Sequence, residues 1–113
     1  MSAKYNLTCD QATTFNFQFQ ILNDSTPWDL TNYIGTMTVR PFVGASTTTV
    51  VASTSNGYMS LQPGQGRIVV NIPASVTENI ASGRYVYDLV LDSGGEVTRI
   101  LEGKFVVTGA VTI

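Results

Sequence analysis

The chain has 113 residues, which is one domain's worth. Only 12% of them are charged and the net charge is −2. That is about half the usual charged share, and no basic block points to a nucleic-acid partner. Histidine is absent, so the commonest general base and metal ligand is missing, and Cys9 stands alone, so an intrachain disulfide and a paired-cysteine metal site are both excluded.

Val, Ile, Tyr, Phe and Thr favour strands. Roughly 65% of the unfolded surface is buried in a chain of this size, enough for a core without covalent staples. The N-terminus lacks a basic region followed by an apolar run, so no signal peptide is expected, and no apolar stretch reaches the about 20 residues of a membrane span. Cys9 reads as a small buried hydrophobe; an interchain disulfide and a reactive thiol are the alternatives.

Lys4 to Cys9 reads as a short strand with Tyr5 and Leu7 on one face. After a break at Asp10-Gln-Ala, Thr14-Phe-Asn-Phe-Gln-Phe-Gln-Ile21 alternates without a fault, placing Phe15, Phe17, Phe19 and Ile21 inward. Asn23 to Asn32 is a polar connection that Trp28 and Leu30 pin to the end of the domain, or in which Trp28 serves as an exposed anchor for a partner. Tyr33 to Arg40 is a strand with Met37 and Val39 inward, stopped by Pro41, which cannot donate to a ladder.

Gly44 to Ser46 is a turn, and Thr47 to Thr54 an uncharged, β-branched strand. Asn56-Gly57 carries a type I′ hairpin signal before Tyr58-Met-Ser-Leu61. A turn at Gln62 to Gly66 precedes Arg67 to Ile72, with Ile68, Val70 and Ile72 inward. Pro73 to Ile80 is one helical turn, with Val76 and Ile80 on the core side.

Residues 83 to 107 form a long hairpin. Tyr85, Tyr87, Leu89 and Leu91 face one way, and Arg84, Val86, Asp88 and Val90 the other. Asp92-Ser-Gly-Gly95 makes the turn, and Gly103 marks a bulge in the second arm. Thr108 to Ile113 is a last strand or a tail that pairs with another subunit.

Seven or eight short strands with turn signals between them predict an antiparallel β-sandwich with one short helical crossover near 73–80. Gly83-x-Tyr85-x-Tyr87 after that crossover fits a tyrosine corner, which favours the immunoglobulin-like form, with Tyr85 as the corner residue, over a jelly roll or a small closed barrel.

The sequence offers little for catalysis. Asp88 and Glu102 lie on facing arms of the hairpin, but Arg84, Arg99 and Lys104 are better partners for them than chemistry. Asp10, Asp24 and Asp29 are spaced unlike an EF-hand and read as turn formers. The expectation is a protein that is not an enzyme and has no cofactor or metal.

Several stretches resemble small structural proteins of tailed bacteriophages of the cyanophage and marine phage type. They are Trp28-Asp-Leu-Thr-Asn-Tyr33, Met37-Thr-Val-Arg40, Asn56-Gly57, Gly66-Arg-Ile-Val-Val70, Gly83-Arg-Tyr-Val-Tyr-Asp-Leu89 and Glu96-Val-Thr-Arg-Ile-Leu-Glu-Gly103. The resemblance implies a multi-copy virion protein, made in the host cytoplasm, with other virion proteins as partners and a homo-oligomeric state. A tail, baseplate or fibre-attachment module is favoured, with capsid decoration as an alternative and a carbohydrate-binding sandwich as another. Trp28, Phe42, Thr47, Thr49, Val51, Tyr58, Val111 and Ile113 are the expected interface residues. The stretch from Thr47 to Ala52 is the expected site of strand addition.

Overall fold

The computed structural model describes residues 3–23 and 25–109. The expected all-β sandwich is what forms, as two facing sheets. The larger holds β1 (Ala3–Lys4), β2 (Leu7–Asp10), β6 (Ile34–Arg40), β7 (Val50–Ser53), β10 (Gly83–Asp92) and β11 (Val97–Thr108). The smaller holds β3 (Phe15–Gln20), β8 (Met59–Gln62) and β9 (Arg67–Ile72). A small hairpin, β4 (Leu22–Asn23) with β5 (Thr26–Pro27), lies within the connection read as polar loop.

The strand orders are β1-β11-β10-β6-β7 and β3-β9-β8. The crossover is α1 (Ala74–Thr77), placed between β9 and β10 where the sequence puts it. Tyr85 donates its hydroxyl to the Ala81 carbonyl at 2.6 Å, which is the expected corner.

The purely antiparallel expectation needs one correction. β1 and β2 pair with β11 in parallel, so the larger sheet is mixed. Parallel neighbours need a long crossover, and here nearly the whole domain lies between the two strands.

The core is built from alternating inward residues. Met37, Val39, Leu89, Leu91, Leu101 and Phe105 of the larger sheet meet Phe15, Ile68, Val70 and Ile72 of the smaller. Phe15 and Phe105 touch edge to face at 5.4 Å. Phe17 and Phe19 are only half-buried, because β3 is an edge strand of its sheet. Cys9 is buried, as expected.

The N-terminal strand and its neighbour depart further from the reading. The strand breaks at Tyr5 and Asn6, which leaves Tyr5 exposed while Leu7 and Cys9 point inward. Gly103 is the reason. A Cβ there would stand 2.3 Å from the Tyr5 carbonyl oxygen, so only glycine lets the two backbones approach this closely. The bulge itself falls at Ile100: Leu89 pairs with Leu101, and Val90 with Arg99.

Candidate functional site

With the inner face of the larger sheet filled by core, its outer face is left open among the described residues. Alternation on β10 turns Arg84, Val86, Asp88, Val90 and Asp92 outward. Register then sets Arg40, Thr38, Thr36 and Ile34 of β6 on one side of them. On the other side come Val106, Lys104, Glu102, Arg99 and Val97 of β11. Lys4 of β1 extends the Glu102 row.

A groove of about 540 Å³ opens on this face. Lys4, Lys104 and Glu102 form one wall, Val86 and Asp88 the floor, and Arg40 and Val43 the other wall. Arg40 is held there for a structural reason. Its Nη1 donates to the Ala45 carbonyl at 3.0 Å and to the Thr47 carbonyl at 3.4 Å, folding the loop after β6 over the groove. The same two bonds hold residues 45 to 47 in this loop, and β7 begins only at Val50, later than the β-branched composition predicts.

Asp88 and Arg99 form the expected ion pair, at 3.3 Å with both side chains open to water. Such a pair contributes well under about 1 kcal/mol. Asp88 and Glu102 do face each other in register, as their places on the two arms suggested.

Apolar exposure gathers on this side of the molecule. Ile34 is 55% exposed, Phe42 63%, Val43 85% and Val97 63%, and all four lie on this face or on the loop beside it. Tyr5 and Leu22 are the other large exposed hydrophobics.

The expected interface residues do not form one surface. Phe42 and Val51 border the outer face, and Thr47 lies in the loop that Arg40 holds. Thr49 sits in the same loop, where its amide donates to the Val39 carbonyl at 2.7 Å. Trp28 and Tyr58 sit at opposite ends of β9, since Trp28 crosses Gly66 while the Tyr58 carbonyl accepts from Asn71. Both are half-buried against the core. Trp28 meets Tyr33 edge to face at 5.8 Å, which pins it. Val111 and Ile113 lie outside the described residues.

The edge of β7, part of the expected site of strand addition, is partly covered by the Asn56 side chain. Asn56 Oδ1 accepts from the Ser53 amide at 3.0 Å, and its Nδ2 donates to the Val51 carbonyl at 2.8 Å. One side chain thus satisfies two of the backbone groups that Val51 and Ser53 turn outward, which hinders edge pairing. It also explains why Asn56-Gly57 is not a hairpin turn: β7 and β8 belong to different sheets, and Asn56 closes the first before the chain crosses.

β3 is an edge strand of the smaller sheet. The Asn71 amide bonds to Tyr58, so alternate residues of β9 serve β8 and the others serve β3. This leaves the backbone groups of Asn16, Gln18 and Gln20 pointing away from the sheet. Tyr5, Phe17 and Phe19 line up beside it with ring centroids 5.6 and 5.4 Å apart.

Asp29 behaves as a turn former, while the Asp10 carboxylate bonds across to the last strand. Asp29 accepts from the Thr31 amide at 2.9 Å and from the Thr31 hydroxyl at 2.5 Å, and these bonds hold its carboxyl below the usual range. Asp10 accepts from the Thr108 hydroxyl at 2.6 Å. Asp24 lies outside the described residues. Among the described residues no cluster of three or more His, Cys, Asp or Glu could hold a metal, and no helix is long and apolar enough to cross a membrane.

The chain matches no family model and no curated protein.

The Lys4, Lys104 and Val43 part of the groove was not foreseen. Its signal was the outward set of the long hairpin, read there only as solvated ion pairs. Lys4 and Val43 join that set through the parallel pairing of β1 and the folded loop, which spacing along the chain does not encode.

Proposed function

We propose that this chain is a virion structural protein of a tailed bacteriophage. It acts as a multi-copy assembly module of the tail, baseplate or fibre-attachment region, without catalysis or a cofactor, through contacts with copies of itself and other virion proteins. The observation that carries the assembly part is the outer face of β6, β10 and β11: open, broad, and carrying four of the six large exposed hydrophobics of the described chain on or beside it. Apolar exposure concentrated on one face marks an interaction surface rather than chance scatter. The phage setting rests on the sequence blocks that resemble virion proteins, and it places the protein in the particle after synthesis in the host cytoplasm.

The direct test is incorporation. Purified protein is mixed with tails and with capsids of a candidate phage, and each particle is re-isolated and assayed for the chain. Recovery with tails is the expected result. Recovery with capsids alone reassigns the module to capsid decoration. Recovery with neither, together with binding to glycans, would overturn the reading.

A further inference from the structure

The charges of this chain are segregated. Lys4, Arg40, Arg99 and Lys104 line the groove against Asp88 and Glu102, a local charge of +2. The whole chain carries −2, so the remainder of the molecule carries −4. Part of that negative charge sits at the tip of the long hairpin, where Asp92 and Glu96 flank Ser93-Gly-Gly95. We infer that the groove of one copy receives the acidic β10–β11 turn of the next, so that copies join head to tail. This deepens the assembly reading and rests on it.

Four observations support that occupant. The turn is exposed and already rigid: Asp92 Oδ1 accepts from the Gly94 amide at 2.8 Å, and the Ser93 amide donates to the Glu96 carbonyl at 3.0 Å. A preorganised element loses little entropy on docking. Exposed Ile34 and Val97 flank Asp92 in register, and exposed Val43 lines the groove, so apolar surface can meet apolar surface beside the charges. The groove's own carboxylates are offset locally, Asp88 by Arg99 at 3.3 Å and Glu102 by its position beside Lys4 in the ladder. The groove volume of about 540 Å³ suits a short peptide turn.

The charges also select the symmetry. Groove against groove would set like charge on like charge, which disfavours a two-fold dimer through this face. Groove against turn joins two different patches, and such a contact either closes into a ring or continues as a filament.

The test uses the full chain in sedimentation velocity across concentration, at low and high salt. Wild-type protein is expected to self-associate, and more weakly in high salt. K104E and E96K are each expected to weaken association about tenfold or more while keeping wild-type thermal melts, with K104Q as a milder substitute at the first site. An equimolar mixture of K104E and E96K should regain association, because each supplies the partner the other lacks. Association unchanged by both reversals would overturn the head-to-tail contact while leaving the assembly reading to the particle test. A wild-type monomer at the highest soluble concentration would also overturn it. So would a monomer that binds a carboxylated sugar through Lys104, which would give the groove to a glycan.

Discussion

Tyr85 and Tyr87 stand two residues apart on β10 and fasten different parts of the chain. Tyr85 bonds back to Ala81 at 2.6 Å and fixes the crossover; Tyr87 bonds to the Tyr5 carbonyl at 2.6 Å and fixes the N-terminal strand. Each Tyr→Phe change should cost about 1 kcal/mol in urea unfolding. Only Tyr87→Phe should also speed amide exchange at Leu7 and Cys9. Titration supplies a second check. Burial, helped by the Asp10 carboxylate, pushes the Cys9 thiol up to about 11 from 9.0. Burial, with Tyr5 adding, pushes the Tyr87 phenol up to about 12 from 10.0. Both groups stay neutral longer in the folded chain than in the unfolded one. Their contribution is therefore complete below pH 9 and is lost as pH rises through 11 and 12. Unfolding free energy should fall across that window, by roughly 2 kcal/mol for Cys9 alone, and the Cys9 share should vanish in Cys9→Ala. Below that window the thiol should resist alkylation until the protein unfolds.

At the scale of elements, the connections are held by single residues that the strand pattern does not reveal. Asn56→Ala should uncover the Val51 carbonyl and the Ser53 amide, cost about 1–3 kcal/mol in thermal melts, and raise light scattering as the β7 edge opens to other chains. Gly103→Ala should force the Tyr5 backbone away and release β1, read as faster exchange at Tyr5 with the β10–β11 ladder intact. The period-two alternation made the strands of the long hairpin, β3, β6 and β9 legible, because one face of each is core and the other is water. Composition and turn signals failed at three places where a specific contact overrode them. Arg40 pulls Thr47 out of the expected strand, Asn56 closes an edge instead of turning a hairpin, and Gly103 admits a neighbouring backbone instead of a bulge. Gly66 belongs with these. Its φ of 60° and the Ile21 and Trp28 backbone atoms, within 2.8 Å of where a Cβ would stand, make it a docking point for the β4–β5 connection.

The whole molecule is a sandwich whose two sheets are unequal, and that inequality defines its surfaces. The larger sheet leaves a broad outer face with a basic groove, while the smaller leaves the β3 edge beside a row of exposed and half-buried aromatic rings. Fold class was readable from the sequence because burial repeats every second residue. The candidate site was not, because its members come from β1, β6, β10, β11 and a folded loop, and only pairing brings them together. Chemical accessibility of that face tests the account most directly. Both lysines of the chain, Lys4 and Lys104, line the groove, so acylation of lysine amines reports on it without mutation. The measurement is the acylation rate at each lysine, by mass spectrometry, in dilute protein and in the assembled state. Rapid modification of both is expected when dilute, with marked protection of Lys104 on assembly. Equal rates at both lysines in the two states would contradict it and move the contact surface elsewhere, with the β3 edge next in line.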